Sequence, residues 1–281
     1  MTNPIIKTTI FRDHPGCKVL LEEMQDGQKH IRKSYWDKAT TDKEWDALNY
    51  LKSAGISIPE LYRIDENGMY MQFIDGGMLW DSYQTADADR QQDLIEKFTK
   101  LLFDLHNVPP RDKPSFDNFI QNKLAEIKDI MERKQLDEYN EIYSKLKELS
   151  VNIKETPPCY IHRDYHVWNV LFDSNQKLYL IDMELTQGDF RFDVGWTYML
   201  QKRSAVHDPR HGEIAQAFLG RYYQLNPEAN IDIAFFMQLA NLRWLINVAP
   251  ENKTDNHWFP EMRDIAEQNI KDFLHNNFSI T

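Results

Sequence analysis

The sequence has little cysteine, a deficit of basic charge and no long apolar run that is free of charged residues. Its two cysteines cannot form a disulfide framework, and neither has a CxxC spacing, so we expect a reducing compartment. The 33 Lys and Arg residues are outnumbered by 44 Asp and Glu residues, which gives a formal net charge of −11. Such a chain repels phosphate backbones, and no basic run offers a local exception, so we expect no nucleic-acid partner.

Two segments could be taken for membrane or export signals. Residues 1–16 contain Lys7 and Arg12 and have no apolar stretch of the kind that a signal peptide needs. Residues 231–248 are the most apolar late stretch, but Arg243 interrupts them, which indicates an amphipathic core helix and not a membrane span. We therefore expect a cytoplasmic protein with no membrane partner.

The N-terminal part has strand patterns around one helix. Residues 29–36 alternate as a strand does, with Lys33 on one face. Residues 41–44, Thr-Asp-Lys-Glu, have the spacing of a capping box and predict that a helix opens at Thr41. Residues 69–74 predict a further strand, which an Asp-Gly-Gly sequence ends.

Helical patterns dominate the chain from residue 78 onward, with one exception. Two short apolar segments flank Asp-Ser-Asn at residues 173–175, which is typical of a hairpin. We therefore predict an α+β fold with two lobes. The first is a small β-rich lobe over residues 1–75, and the second is a larger, mostly helical lobe over residues 76–281.

The most informative segment is residues 162–169, His-Arg-Asp-Tyr-His-Val-Trp-Asn, because it carries two oxygen-bearing groups, Asp164 and Asn169. A third, Asp182, follows the hairpin. Phosphoryl transfer needs a carboxylate that orients and deprotonates the attacking hydroxyl, and it needs hard oxygen ligands for Mg²⁺. Since the hairpin returns the chain to its starting point, we expect Asp182 beside Asn169, where both can reach one ion.

A His-x-Asp-x-x-x-x-Asn motif followed by a hairpin and Ile-Asp resembles the catalytic core of the protein-kinase-like superfamily. His166, two residues after Asp164, resembles the small-molecule branch, which includes aminoglycoside phosphotransferases and choline kinases, whereas protein kinases usually have Lys there. The resemblance implies a bilobal protein-kinase-like fold with Asp164 as the catalytic base. In such a fold, residues 1–75 are the nucleotide-binding lobe, and residues 76–281 are the catalytic and substrate-binding lobe. It also implies that Asn169 and Asp182 bind Mg²⁺ and that His162 supports the loop.

The N-terminal part resembles the same branch. Lys33 on its strand and Glu44 in the following helix match the arrangement in which a lysine, held by a glutamate, pairs the α- and β-phosphates. Gln72, Phe73 and Ile74 resemble the hinge strand of these kinases, and the resemblance implies that their backbone hydrogen-bonds adenine.

The phosphate loop departs from this resemblance. Gly16 alone precedes the second strand, and no Gly-rich loop is evident. The resemblance implies ATP and Mg²⁺ as cofactors, but it leaves the grip on the phosphates open and does not exclude GTP.

Each candidate residue also has a purely structural interpretation. Glu44 fits the last position of a capping box, and a lysine such as Lys33 is usually a surface residue whose stem covers apolar groups. We interpret His106 and Asp193 as packing or loop-tying groups and not as reactants, since buried polar residues are generally hydrogen-bonded. We expect Trp196, like the other aromatic residues of this part, in the core.

These patterns predict an enzyme that transfers the γ-phosphoryl group of ATP to a free hydroxyl of a small molecule, such as an aminoglycoside, a choline-like amino alcohol or a sugar. One alternative is a catalytically weak or inert kinase-like module that binds a ligand. The presence of Asp164, Asn169 and Asp182 disfavours it. The other alternative, a protein kinase, is disfavoured by His166 and by the lack of an Ala-Pro-Glu motif. The oligomeric state is left open.

Overall fold

The N-terminal part of the chain forms a sheet, and most of the rest is helical. The computed structural model describes residues 4–14, 16–111, 118–183, 186–250 and 259–276. The strands are β1 (Ile5–His14), β2 (Cys17–Met24), β3 (Lys29–Tyr35), β4 (Leu61–Asp65), β5 (Gly68–Gln72), β6 (Cys159–Ile161), β7 (Val170–Phe172), β8 (Leu178–Leu180) and β9 (Thr186–Gly188). The helices are α1 (Lys38–Ser53), α2 (Leu79–Thr85), α3 (Ala88–His106), α4 (Phe119–Lys134), α5 (Asn140–Ser150), α6 (Phe190–Ser204), α7 (Arg210–Leu225), α8 (Ile233–Val248) and α9 (Pro260–Leu274). The predicted α+β class is confirmed.

The chain divides into two compact units, and each is built from two segments. The first unit comprises Met1–Asp87 and Val167–Leu185, and the second comprises Ala88–His166 and Thr186–Thr281. The first unit therefore contains the β7–β8 hairpin as well as the N-terminal sheet. The functional division predicted at residue 75 concerns which lobe binds nucleotide and which binds substrate, and it stays a prediction.

The sheet of the first unit has five antiparallel strands in the order β1-β2-β3-β5-β4. Its register places Val19 opposite Lys33, and Lys33 opposite Met69. Side chains of directly opposed residues project from the same face of a sheet. Lys33 therefore projects from the face on which Val19 and the fully buried Met69 lie.

Helix α1 begins earlier than the capping-box pattern predicts. Its N-cap is Asp37, whose carboxylate accepts a hydrogen bond from the N–H of Thr40 at 2.8 Å. Thr41 lies inside the first turn, and its hydroxyl accepts from the N–H of Tyr35 at 3.4 Å. The prediction that Thr41 opens the helix is wrong, because Asp37 is an equally good cap four residues earlier. Glu44 is consequently a residue of the helix body and not part of a cap.

The hairpin predicted around residues 173–175 forms between β7 and β8. The Asp173 carboxylate accepts from the N–H groups of Asn175 and Lys177, which closes the turn. Gly76, after β5, lies against this hairpin so closely that a Cβ there would be 2.0 Å from the carbonyl oxygen of Phe172. Only glycine permits such an approach of two backbones, so this position is fixed by packing.

Helix α8 forms most of the apolar segment over residues 231–248. The prediction that this helix is amphipathic is wrong. Its residues are buried on nearly all sides, including the polar Asn241. That amide accepts from Arg203 and donates to the carbonyl of Ala266, both at 2.8 Å. Its core position is confirmed, because most of its residues are buried. No helix in the described part of the chain is both long and apolar enough to cross a membrane.

Candidate active site

Lys33 and Glu44 form an ion pair inside the first unit. The ammonium of Lys33 lies 2.9 Å from Oε1 of Glu44, and their side chains are only 8% and 10% exposed. Burial alone would lower the pKa of Lys33. Its neighbours, Glu44 first and then Tyr35 and Asp182, outweigh burial and raise that pKa above its ordinary value. Lys33 is therefore held as a buried cation and is not a surface residue.

Asp182 extends this pair into a chain of charges. Its Oδ1 lies 3.5 Å from the ammonium of Lys33, and its Oδ2 accepts from Nη1 of Arg12 at 2.6 Å. The carboxylate is one-third exposed, and the backbone of Asp182 has a positive φ of 55°. A residue other than glycine in this region is held there by its surroundings, which is a common property of functional positions. The contact with Arg12 has no counterpart in the sequence patterns.

Asn169 and Asp182 flank the open end of the β7–β8 hairpin. Asn169 directly precedes β7, and its carbonyl accepts from the N–H of Ile181 at 3.1 Å, which adds one more pair to the ladder. Asn169 is 8% exposed. The structure therefore places the residue after Ile181, which is Asp182, beside Asn169 as the hairpin pattern predicts.

An open pocket in the first unit is lined by the charged groups of Lys33, Glu44 and Asp182. The rest of its lining is apolar: Leu48, Ile58, Pro59, Leu61, Met71, Leu180, Ile181 and Met183. A mostly apolar pocket with a few convergent polar groups is the usual form of a small-molecule or cofactor site. This pocket offers apolar walls for a ring system and charge at one side.

Gln72, Phe73 and Ile74 mark the end of β5. The N–H of Gln72 donates to the carbonyl of Glu60 at 2.8 Å, and its side-chain oxygen accepts from the N–H of Glu60 at 3.2 Å. Gln72 is thus engaged by the segment before β4. Phe73 lies beyond the strand with its ring 5.7 Å from the Lys29 ammonium, and Ile74 is buried. An adenine contact of these three residues stays a prediction.

Asp164 lies in the second unit, on the loop after β6. Its Oδ1 accepts from the indole N–H of Trp196 at 3.3 Å, and its Oδ2 lies 3.4 Å from Nε2 of His166. Burial alone would raise the pKa of Asp164. Three neighbours outweigh burial and lower that pKa: His166 through its hydrogen bond and charge, His162 through its charge, and Trp196 through its hydrogen bond. Asp164 is consequently ionised at neutral pH and oriented from two sides.

Asp193, on α6, holds the backbone of that loop. Its carboxylate accepts from the N–H groups of His162 and Arg163, and it lies 3.2 Å from Nε2 of His106. Nδ1 of His162 in turn accepts from the N–H of Asp164 at 3.3 Å. The interpretation of Asp193 as a loop-tying group is confirmed, and His106 is a packing group that contacts Asp193 and the hydroxyl of Tyr222.

Trp196 is the functional candidate that sequence reasoning missed. It is 7% exposed, so its expected place in the core is confirmed, but its indole N–H also points at Asp164. The sequence holds no signal for this contact, because the two residues are separated by all of β7, β8 and β9.

Among the described residues there is no group of three or more His, Cys, Asp or Glu side chains suited to hold a metal ion.

Residues 28–264 match the profile of the phosphotransferase enzyme family. The chain belongs to this family. The matched segment includes every residue of the candidate site except Arg12, from Lys33 on β3 to Trp196 on α6. The protein is therefore a phosphotransferase, as the sequence patterns predict. A comparison with curated proteins finds no match.

Solved structures of phosphotransferases share the fold of this chain. An ethanolamine kinase of Plasmodium vivax is 14% identical with a TM-score of 0.67, and the alignment covers 96% of this chain and 84% of that one. A choline kinase of Streptococcus pneumoniae is 15% identical with a TM-score of 0.66, covering 97% and 95%. An ADP-bound aminoglycoside phosphotransferase is 17% identical with a TM-score of 0.63, covering 96% and 92%. These likenesses confirm the predicted protein-kinase-like fold.

Proposed function

We propose that this phosphotransferase transfers the γ-phosphoryl group of ATP to a hydroxyl group of a small molecule. The observation that carries the proposal is the chain of ion pairs from Glu44 through Lys33 to Asp182, along one side of the pocket in the first unit. A buried ammonium that two carboxylates keep charged is costly in an apolar environment. Its presence is explained if it contacts an anionic ligand there.

In this proposal Lys33 pairs with the phosphates of the nucleotide, and Glu44 fixes the direction of the lysine stem. The apolar walls of the pocket accept the purine, and the backbone of Gln72, Phe73 and Ile74 contacts its edge. A phosphotransferase with the same fold is ADP-bound, which supports nucleotide binding by this chain. The lining does not distinguish adenine from guanine, so GTP is an alternative donor.

Asn169 and Asp182 would hold Mg²⁺. An amide oxygen and a carboxylate are the hard ligands that this ion takes, and it binds to proteins through few side chains and keeps several waters. The two residues present at the open end of the hairpin therefore fit the ion. When bound, Mg²⁺ neutralises charge on the β- and γ-phosphates.

Asp164 accepts the proton of the acceptor hydroxyl in this proposal. As the bond between the acceptor oxygen and the γ-phosphorus forms, the bond from that phosphorus to the bridging oxygen of ADP breaks, and the proton passes to the carboxylate. Trp196 and His166 orient the carboxylate, and the low pKa that His166 helps to maintain keeps it unprotonated. A positioned base of this kind typically contributes about 10²- to 10⁴-fold to the rate.

The acceptor is a small molecule with a free hydroxyl, and the class stays open among aminoglycosides, amino alcohols and sugars. The net charge of −11 favours a cationic acceptor, because an acidic protein attracts cations over distance. Three neighbours are named for ethanolamine, choline and aminoglycosides, and each of these compounds carries a cationic nitrogen at neutral pH.

A screen for substrate-dependent consumption of ATP and of GTP, against a panel of amino alcohols, aminoglycosides, sugars and amino acids, tests the proposal. We expect phosphorylated product from at least one member of the panel, detected by mass spectrometry. Asp182→Ala should abolish this turnover, whereas Lys18→Ala, at a half-exposed side chain of β2, should leave it unchanged. Failure of the wild-type protein to bind either nucleotide at millimolar concentration would favour the inert-module alternative.

A further inference from the structure

The connection between β1 and β2 is too short to hold phosphates as a Gly-rich loop does. The register pairs His14 with Cys17, so only two residues join the strands. One is Pro15, which has no backbone N–H and lies outside the described residues, and the other is Gly16, with a φ of +115°. A Gly-rich loop binds phosphates through several successive N–H groups. Other groups must therefore supply the charge that a polyphosphate needs here.

Arg12 is placed on the pocket side of the sheet by a β-bulge. Ile10 pairs with Leu20 but Arg12 pairs with Val19, so the register shifts by one residue between them. Val19 pairs in turn with Lys33, which puts the side chains of Arg12, Val19 and Lys33 in one row on one face. Without the shift Arg12 would project from the opposite face, since a slip of one residue reverses every side chain. Bulges often redirect a side chain beside an active site in this way.

The guanidinium of Arg12 and the ammonium of Lys33 meet at the two oxygens of Asp182. Nη1 of Arg12 lies 2.6 Å from Oδ2, and Nζ of Lys33 lies 3.5 Å from Oδ1. Lys33 has a second counter-ion in Glu44, at 2.9 Å. The Asp182 carboxylate is thus the counter-ion of Arg12. If another cation binds this carboxylate, the positive charge of Arg12 is left without a counter-ion beside it.

The ion pair between Arg12 and Asp182 lies partly in solvent. The Arg12 side chain is 46% exposed, and exposed ion pairs contribute little to stability. A guanidinium also matches phosphate better than it matches one carboxylate oxygen, because its fork can donate two parallel hydrogen bonds. Arg12 is therefore free to change partners when a polyphosphate enters beside Lys33.

We propose that Arg12 is a phosphate-binding residue of the nucleotide site, which leaves Asp182 when nucleotide binds and takes the place of the missing Gly-rich loop. This inference rests on the proposed function, because it needs a nucleoside di- or triphosphate in the pocket of the first unit. It assigns Arg12 to binding of the phosphates and to no contact with the nucleoside.

The test compares ADP with adenosine by calorimetry in the intact protein. Arg12→Gln should weaken ADP binding by about tenfold or more, the usual value of a hydrogen bond to a charged group, and should leave adenosine binding unchanged. Arg12→Lys should recover part of the ADP affinity, since it restores the charge without the fork. Lys18→Gln is the matched control: Lys18 is 45% exposed and pairs with Asp13 at 3.2 Å on the opposite face of the same hairpin.

Two results would overturn the role of Arg12. Unchanged ADP affinity in Arg12→Gln would make Arg12 a counter-ion of Asp182 and nothing more. Equal losses for ADP and adenosine would show that Arg12 only maintains the shape of the pocket. If the wild-type protein binds adenosine and ADP equally, the phosphates add nothing to binding, and the role of Arg12 alone fails. If it binds neither, the proposed nucleotide site itself fails, and the role of Arg12 fails with it.

Discussion

The ammonium of Lys33 lies 2.9 Å from the carboxylate of Glu44, and both side chains are about nine-tenths buried. The two residues come from different elements, β3 and α1, so the pair fixes the helix against the sheet as well as the charge in the pocket. Removing one member of a buried pair leaves the other as an uncompensated charge, which is strongly destabilising. Stability and activity must therefore be separated in any test of this pair.

Lys33→Met should lower kcat by roughly 10²-fold, the scale of losing one electrostatic stabiliser of the reaction, and should weaken nucleotide binding. The double variant Lys33→Met with Glu44→Gln should recover thermal stability, because no buried charge is left alone, but should not recover activity. Lys29→Met is the control, since Lys29 lies exposed on the same strand. A larger loss of activity in Lys29→Met than in Lys33→Met would show that the wrong lysine has been assigned.

Trp196→Phe should lower kcat by about tenfold or more, the value of a hydrogen bond to a charged group, with unchanged nucleotide affinity. The substitution keeps an aromatic ring in the core and removes the N–H that bonds Asp164 at 3.3 Å. Trp244→Phe is a matched control, because that buried indole packs on the guanidinium of Arg203. Equal effects of the two substitutions on kcat would mean that Trp196 acts through packing alone.

His166→Ala should move the acid limb of the kcat/KM profile to higher pH. Burial raises the pKa of Asp164, and His166 is the chief group that lowers it below its ordinary value. Without His166 the carboxylate becomes protonated at a higher pH, so the base is lost earlier as pH falls. An acid limb that stays in place while kcat falls would assign His166 to substrate contact and not to the ionisation of Asp164.

We expect His211 to make a pH-dependent contribution to the free energy of unfolding. Burial lowers the pKa of His211 from 6.5 to about 4, and its Nδ1 lies 2.7 Å from the side-chain oxygen of Gln201. The unfolded chain therefore binds more protons than the folded one between these two values. Stability from this residue is complete above pH 6.5 and declines as pH falls toward 4.

Unfolding by denaturant at several pH values tests this assignment. His211→Gln should show a smaller loss of unfolding free energy between pH 6.5 and 4 than the wild-type protein, because glutamine does not titrate. Parallel curves for the two proteins across this range would contradict a neutral buried His211.

Local patterns predicted those parts of the site that lie close together in the sequence. Asn169 and Asp182 are joined by one short hairpin, and its turn residues are typical of a hairpin, which predicts that the two residues lie close together. The start of α1 was misplaced for a local reason too, because Asp37 and Thr41 are both good caps and the pattern does not rank them. The pairing of Lys33 with Glu44 survives that error, since it depends on the face of the helix body.

Contacts that depend on register or on distant elements were not predictable. Arg12 reaches Asp182 only because a β-bulge turns its side chain to the other face of the sheet. No residue type in β1 predicts that bulge. Trp196 meets Asp164 because α6 packs against the loop. From the sequence alone, a tryptophan at this position is equally well explained as a residue that only fills the core. A polar group on an otherwise buried ring is recognisable as functional only when its partner is known.

Asp164→Asn tests the central claim most directly, through steady-state turnover on the acceptor that the screen identifies and nucleotide binding by calorimetry. The substitution keeps the shape and the acceptor oxygen for Trp196 but removes the charge and basicity of the group. We expect a kcat lower by roughly 10²-fold or more, the scale of a general base, with nucleotide affinity little changed. A variant that binds nucleotide normally and turns over at the wild-type rate would contradict the assignment of Asp164 as the base.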